Sequence, residues 1–402
     1  MSYRDVLKDR RFASLAVSTL AGRVAQTMFD VALVIFVVAD LHHPAAAGLA
    51  VLLATLPGLI LSPVSGTFLQ GRNVTGWMTV DYAVKGIAAI GIALCVSADP
   101  SGMWTLWGLA FLSSVTSAFG NVAMRSYISF VLTAKLRGPA NGLDSTLSAV
   151  ADMAGPALAG VAVIAVGGRM SVAAVGVVFL LAAAIALSSG RLVHEPGAAT
   201  RVLHVAKAIR EVVSHPVLRQ LTGVYFLYQV AIGILVVASP LLITSRFKLD
   251  ISWVGISWSI AGVAGIAASL LAGRYADQGL ERRMMSAGAA LTVTGLTGLF
   301  AFNNVFGLFA AFVPLGIAVG LLDVGLLTLR QAALPSSGAT GTLAVSSSLN
   351  LAGYPAGAML GGLLSGHGAE VQIGISFGFA VMALAMCKWL PRDLCSERAT
   401  EA

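Results

Sequence analysis

From Ser171 to Ser189 the chain runs for nineteen residues without one charged side chain, and stretches of this kind recur along most of its length. A helix needs roughly 20 apolar residues to cross the hydrocarbon of a bilayer. Within lipid a spanning segment must satisfy its own backbone hydrogen bonds, so runs of this length are helices. Dividing the sequence at charges, Pro and Gly gives twelve such segments. The first six cover Phe12 to Ala39, Ala45 to Leu69, Trp77 to Ala98, Trp104 to Phe130, Pro139 to Val166 and Ser171 to Ser189. The second six cover Pro216 to Thr244, Ile251 to Arg274, Met284 to Phe302, Val305 to Leu329, Ala339 to Ser365 and Val371 to Leu390. Composition agrees: Lys, Arg, Asp and Glu make up 11% of the 402 residues, against about 25% in soluble domains. With 57% hydrophobic residues and a mean hydropathy of +0.87, too few charges remain to cover a water-facing surface, which excludes a soluble enzyme. The expected fold class is all-α integral membrane, with one six-helix half over residues 1–190 and another, with a short tail, over residues 216–402.

Orientation follows from the loops, because Lys and Arg concentrate on the cytoplasmic side. With the N-terminus inside, nineteen of the 25 Lys and Arg lie in cytoplasmic loops and tails; Arg169, Arg246 and Lys248 lie outside, and Arg23, Lys85 and Arg125 lie in or at the edges of spans. Both termini are therefore expected in the cytoplasm, of a cell (inner or plasma) membrane crossed many times. The net charge of +7 is spread among loops rather than gathered on one face, so no nucleic-acid partner is expected. Cys95, Cys387 and Cys395 lie far apart and outline neither a disulfide framework nor a metal site. His42-His43, in the first external loop, reads as a solvated turn, and no metal or cofactor is expected. The apolar run after Arg11 is too long for the core of a cleavable signal peptide. Between the halves, residues 191–215 carry Val202, Val205, Ala206, Ile209, Val212 and Val213 at helical spacing, opposite Arg201, His204, Lys207, Arg210 and Glu211. This is the pattern of an amphipathic helix lying on the membrane surface, or of one that binds a partner.

The two halves repeat each other locally. Leu147-Ser148-Ala149-Val150-Ala151-Asp152-Met153-Ala154-Gly155-Pro156 aligns with Val345-Ser346-Ser347-Ser348-Leu349-Asn350-Leu351-Ala352-Gly353-Tyr354 at a constant offset of 198. Asp144, Ser148, Asp152 and Gly155 form one stripe of span five, and Thr342, Ser346, Asn350 and Gly353 form the matching stripe of span eleven, since spacings of four, four and three stay on one helical face. Paired six-helix halves with facing polar stripes suit a transporter that alternates access around a central site.

On these residues the chain resembles the major facilitator superfamily (MFS). After span eight, Gly273-Arg274-Tyr275-Ala276-Asp277-Gln278-Gly279-Leu280-Glu281-Arg282-Arg283 is similar to the family's loop signature. In the first half Gly66 and Arg72 remain, while Gln70 occupies the Asp position and Gly71 the Arg position. Ala140-Asn141-Gly142 leading into Gly155-Pro156-Ala157-Leu158-Ala159-Gly160 resembles the fifth-span signature of the superfamily's exporters, with Ala151 and Ala159 where that signature has Gly. The branch resembled most is that of the macrolide and siderophore exporters. Span four has only Arg125, near its end, and lacks the mid-helix Arg typical of the proton-coupled multidrug antiporters. The resemblance implies a monomeric secondary transporter.

Eight charges fall in or at the ends of spans: Arg23, Asp30, Asp81, Lys85, Arg125, Asp144, Asp152 and Asp323. An unpaired charge at mid-bilayer costs ~2.5–3.5 kcal/mol or more, so each needs a partner, water or a role. Arg23, Gln26, Thr27 and Asp30 share one face of span one. They line a cavity, with Asp30 taking up a proton, or they form an ion pair with another helix that fixes packing. Asp152, one turn before Gly155-Pro156, suits either reversible protonation or a hydrogen-bonded place in a helix interface, where its counterpart Asn350 also fits. The Gly155-Pro156 pair shapes a bend in the helix. Asp81 and Lys85, four residues apart, form a local ion pair expected to belong to a cytoplasmic gate. The remaining gate candidates are Gly273, Asp277, Arg282, Arg283 and Asp323, with Asp323 reaching Arg282 or Arg283. Tyr225, Tyr228 and Gln229 share a face of span seven and either line a substrate cavity or pack. The function expected is export of a small organic molecule, drug- or metabolite-like, by alternating access, in exchange for protons; no nucleotide-binding loop is present for ATP-driven pumping. The alternatives are an importer or lipid translocator of the same fold, and a membrane sensor or scaffold without transport.

Overall fold

The structure, a computed structural model, describes residues 8–68, 72–120, 124, 127–131, 134–193, 205–275, 279–333 and 340–390. Its principal helices are α1 Arg10–Ile35, α2 Pro44–Phe68, α3 Val74–Cys95, α4 Pro100–Val115, α5 Ala134–Ser188, α6 Val205–Ser214, α7 Pro216–Ser245, α8 Ser252–Arg274, α9 Glu281–Ala301, α10 Val305–Ala333, α11 Thr340–Leu351, α12 Gly353–Leu363 and α13 Ala369–Met386. Among the described residues nine helices are long and apolar enough to cross a membrane. These nine carry ten of the twelve expected spans, and spans four and eleven are present in altered form. Helix α5 carries spans five and six, joined at Gly167, whose φ of 80° and ψ of 168° break the helix in a region that favours glycine. Span eleven is divided into α11 and α12 at Ala352.

Span four departs furthest from its expected form. Trp104 to Phe130 reads as one helix in the sequence, but α4 starts at Pro100, a residue suited to the first helical turn, and stops at Val115. A turn over Ser117–Gly120 and a wide turn over Tyr127–Val131 follow. The cause lies in Ser113-Ser114-Val115-Thr116-Ser117. Ser113 Oγ donates to Ala110 O at 2.7 Å and Ser117 Oγ to Ser113 O at 3.4 Å, bonds that compete with the helical ladder and bend it. The start of α1 is capped as sequence rules expect: Asp9 Oδ1 accepts from the backbone N–H of Arg11 and Phe12 at 2.9 and 3.3 Å. His42, in the turn before α2, has a positive φ of 58° and is exposed.

Two of the basic residues expected outside serve as caps of another kind. Arg169 donates to Ala93 O and Val96 O, at 2.7 and 3.1 Å, at the C-terminal end of α3. Arg246 donates to Leu299 O and Phe300 O, at 3.1 and 2.6 Å, at the C-terminal end of α9. Both guanidinium groups satisfy carbonyls left over at a helix end and face its negative dipole.

The chain forms two compact units, Met1–Phe36 with Leu53–Leu203, and Val37–Leu52 with His204–Ala402. In the first, α1 and α3 lie along α5. The close approach of α1 depends on Gly155: a Cβ there would sit 1.8 Å from Thr27 Oγ1. In the second, α8 and α9 pack on α10, while α7 packs on α12 and α13. Gly353 and Gly357 bring α12 against the backbone of α7, where an added Cβ would meet Phe226 O at 2.4 Å and Val230 O at 2.1 Å. These are the small-residue contacts by which helices associate in lipid. Helix α6 forms at the expected linker position and packs on α7 and α11, with Val212 buried and Ile209 and Val213 exposed.

Candidate functional site

In the first unit, α1, α3 and α5 bring five charges together. Arg23 Nη1 lies 2.9 Å from Asp144 Oδ1, and both side chains are largely buried. The same nitrogen donates to the main-chain oxygen of Asp144 at 3.0 Å, so one guanidinium holds both the side chain and the backbone of its partner. On α3, Lys85 Nζ pairs with Asp81 Oδ2 at 3.1 Å, with Asp81 1% and Lys85 7% exposed. This is the local pair expected from the spacing. It closes within one helix, so its expected membership of a gate between helices is not visible in its partners. Lys85 also lies 6.0 and 5.7 Å from the ring centroids of Tyr82 and Phe179, within cation–π range. The main chain at Gly120 presses on Asp81, where an added Cβ would lie 2.1 Å from Oδ2.

Asp30 is the third carboxylate of this cluster. Gln26 Nε2 donates to its Oδ1 at 3.1 Å, and the charge of Lys85 acts on it from a distance. Three carboxylates thus share two cations. Arg23 and Lys85 are committed to Asp144 and Asp81, and Asp30 holds an amide. Thr27, on the same face of α1, donates to Ala151 O of α5 at 2.9 Å. Asp152 lies on the expected stripe one turn before Gly155-Pro156, but its side chain is exposed.

The second unit holds a smaller polar cluster. Tyr225 of α7 donates its hydroxyl hydrogen bond to Asp323 of α10. Tyr225 and Tyr228 meet edge to face with centroids 5.5 Å apart. Arg330, two turns beyond Asp323 on α10, donates to Ser347 Oγ at 2.7 Å and to the amide oxygen of Asn350, whose nitrogen donates to Ser346 O at 3.0 Å. Ser346 Oγ and Thr222 Oγ1, 3.0 Å apart, tie α11 back to α7. Gln229 lies beside Gly353, where an added Cβ would meet its Cβ at 3.0 Å.

Two expectations are corrected here. Asp323 bonds Tyr225 and does not reach Arg282 or Arg283. Successive helix residues are turned by about 100°, so with Leu322 and Gly325 of α10 meeting α9 at Gly288 and Met285, Asp323 is carried round to α7. Arg282 instead donates to Lys388 O at 3.0 Å beyond the end of α13, and Arg283 lines a groove on α8 and α9. Arg330 is the second correction: assigned to a loop by its charge, it stands in the last turn of α10 and is 9% exposed. Asp277 and Arg125 lie outside the described residues, and a Cβ on Gly273 would meet nothing within 4 Å.

Residues 15–278 match the family Major Facilitator Superfamily. The chain belongs to the major facilitator superfamily. It is 30% identical over 370 residues to the uncharacterized MFS-type transporter y4rN of Sinorhizobium fredii (strain NBRC 101917 / NGR234), covering 90% of this chain and 91% of that protein. Among solved structures, it is similar to a bacterial homologue of the human lysosomal transporter Spinster in an inward-facing and occupied conformation, with a TM-score of 0.71, 15% identity and coverage of 99% of this chain and 97% of that one. A bacterial homologue of the iron transporter ferroportin in an inward-facing state gives a TM-score of 0.66 at 15% identity over 95% of this chain and 99% of that one. The nucleoside transporter NupG gives 0.68 at 11% identity over 95% and 100%. As an MFS protein the chain is a multi-pass membrane transporter of a small-molecule substrate, and at these identities the solved structures speak to the fold.

Within this MFS fold, sequence reasoning found Arg23, Gln26, Asp30, Asp81 and Lys85 but not the partner of Arg23. Asp144 stood on the polar stripe of span five, which was the available signal. Arg330 was missed altogether. Its spacing of seven from Asp323, two turns on the same face, was the sign that span ten continues past Leu329.

Proposed function

We propose that this MFS transporter exports a small organic molecule in exchange for protons, and that Asp30 carries the proton. The observation behind this reading is the imbalance in the first unit, where two cations are taken by Asp144 and Asp81 and the third carboxylate, Asp30, holds only the amide of Gln26 among the described residues. A carboxylate without a cation in a low-dielectric setting can accept and return a proton without breaking an ion pair. The Arg23–Asp144 pair then acts as a clamp between α1 and α5 that positions Asp30. Tyr225, Tyr228, Gln229, Arg330 and Asn350 supply the aromatic and hydrogen-bonding surface of the substrate pathway in the second unit, and Asp152 contributes to the pathway in the first. Export is the direction that the Ala140-Asn141-Gly142 and Gly155-Pro156 segments support, through their resemblance to the macrolide and siderophore exporters. The site of action is the cell membrane, with both termini cytoplasmic, and the working unit is a monomer.

The test is flux in proteoliposomes carrying an imposed proton gradient, screened against dyes, macrolides and siderophore-like compounds. Uptake that follows the gradient and collapses with a protonophore is the expected result. Absence of gradient-driven flux for every compound would return the chain to the sensor or scaffold class.

A further inference from the structure

A groove of about 560 Å³ opens on the surface formed by α8, α9 and α10, a volume within the ~300–1,000 Å³ of small-ligand sites. Its wall is almost wholly apolar, because alanines (Ala264, Ala268, Ala272 and Ala287) leave a hollow between larger neighbours such as Leu271 and Met284. From Ala264 to Tyr275, the residue after the last turn of α8, it follows that helix over eleven residue steps, about 16 Å at 1.5 Å per residue. One leaflet of a bilayer is about 15 Å thick in hydrocarbon, half of the usual ~30 Å. Among the described residues the one charged side chain lining the groove is Arg283, which stands with Tyr275 and Leu280 at one end. Arg283 is exposed and makes no hydrogen bond or ion pair with any described residue, whereas its neighbour Arg282 is engaged with Lys388 O. That end is also the arginine-rich end of the unit, with Arg274, Arg282 and Arg283 close in sequence.

We propose that this groove binds one anionic phospholipid of the arginine-rich leaflet, its acyl chain lying along the alanines and its phosphate held by Arg283. The chemistry at each end matches. An apolar hollow one leaflet long receives a chain, a free guanidinium at the headgroup level receives a phosphate, and Tyr275, half-exposed, sits where aromatic side chains favour the interface. The site lies wholly in the second unit and is independent of the transported substrate.

The test uses the full-length protein, delipidated in detergent, titrated with dioleoyl phosphatidylglycerol or dioleoyl phosphatidylcholine and followed by native mass spectrometry and thermal unfolding. Phosphatidylglycerol is expected to bind more tightly than phosphatidylcholine. Arg283→Gln should remove about a fivefold share of that preference, the effect of one basic residue at an anionic surface. Ala287→Trp fills the groove from an exposed position and should weaken both lipids while leaving the unfolding midpoint without lipid unchanged; Ala267→Trp, also exposed, gives the same answer should the first variant misfold. Equal binding of the two lipids, or a preference untouched by Arg283→Gln, would overturn the proposal. So would a change of oligomeric state with Ala287→Trp, which would mean that a second copy fills the groove, or dodecyl phosphate competing as strongly as the phospholipid, which would mean that a free anion is its ligand.

Discussion

Neutralising Arg23 while leaving Asp144 in place tests how the first unit is held together. In the folded protein Arg23 Nη1 sits 2.9 Å from the Asp144 carboxylate and 3.0 Å from the Asp144 main-chain oxygen, and the two side chains are 16% and 14% exposed. Removing one member of a buried pair costs about 3–5 kcal/mol, because the survivor becomes an uncompensated charge. Residual exposure and mobile water place the expected cost of Arg23→Met, or of Asp144→Leu, near the lower limit, about 3 kcal/mol. For a unit of roughly 200 residues each kcal/mol moves the unfolding midpoint by ~2–4 °C, so each single variant should melt ~6–12 °C early. The double variant removes both charges at once and replaces them with apolar side chains of similar reach. Such replacements are often neutral or stabilising, so the double variant should melt close to wild type and well above the sum of the two single losses, the signature of strong coupling. The assay is thermal unfolding of the four proteins in lipid nanodiscs, read as a double-mutant cycle. Additive effects, with the double variant as unstable as the two singles combined, would refute the clamp and return Arg23 to the role of a cavity residue. Arg23→Lys provides a graded check: it keeps the positive charge on a shorter side chain, so it should lose less than Arg23→Met.

Three further outcomes follow from other contacts. Gly155→Val places a methyl-bearing carbon 1.8 Å from Thr27 Oγ1; prying α1 from α5 should cost at least ~1–3 kcal/mol, seen as a lower unfolding midpoint, and Thr27→Ala in the same chain should recover part of it. Arg330→Gln takes from Ser347 and Asn350 the donor they accept from, at a cost of ~1–3 kcal/mol, so it should lower the unfolding midpoint, and Arg330→Lys, which keeps the charge and a donor, should recover part of the loss. Asp99, at the exposed start of α4, accepts hydrogen bonds from Ser101 and then Ser97, which hold its carboxyl down at about 2. A depressed folded-state value stabilises the fold above the ordinary value of 3.8 and loses that contribution as pH falls towards 2. Asp99→Asn should therefore leave any pH dependence of transport between pH 5 and 8 unchanged.

Much of the fold was legible because the bilayer imposes a length that apolar runs must meet. The segments that became α1, α3, α7 and α9 could be drawn within a few residues by eye. Failures occurred where a local signal competed with that length. The serines around Thr116 unwind span four from within an apolar run, whereas the boundary between spans five and six, marked by Gly167-Gly168-Arg169, falls at Gly167 as the sequence indicates. Arg330 ended a span on paper because a charge reads as a loop, while in the fold Ser347 and Asn350 of the facing helix accept its hydrogen bonds. The candidate site was half legible for a related reason. Helical periodicity places Arg23, Gln26, Thr27 and Asp30 on one face and makes Asp81 and Lys85 a pair, since both rest on spacings within a helix. That Arg23 meets Asp144, 121 positions away, depends on how α1 lies against α5, which is set by Gly155 and Thr27 and leaves no mark in spacing. Arg169 and Arg246, which the loop count assigns to the outside, are each bonded to the helix end they cap.

The central claim is that Asp30 carries the coupled proton, and the most direct measurement compares two fluxes in proteoliposomes containing Asp30→Asn. One is substrate counterflow, in which exchange at equal pH needs no net proton movement; the other is uptake driven by a proton gradient. The account predicts that counterflow persists near the wild-type rate while gradient-driven accumulation falls to background. Accumulation that continues at the wild-type level in Asp30→Asn would contradict it.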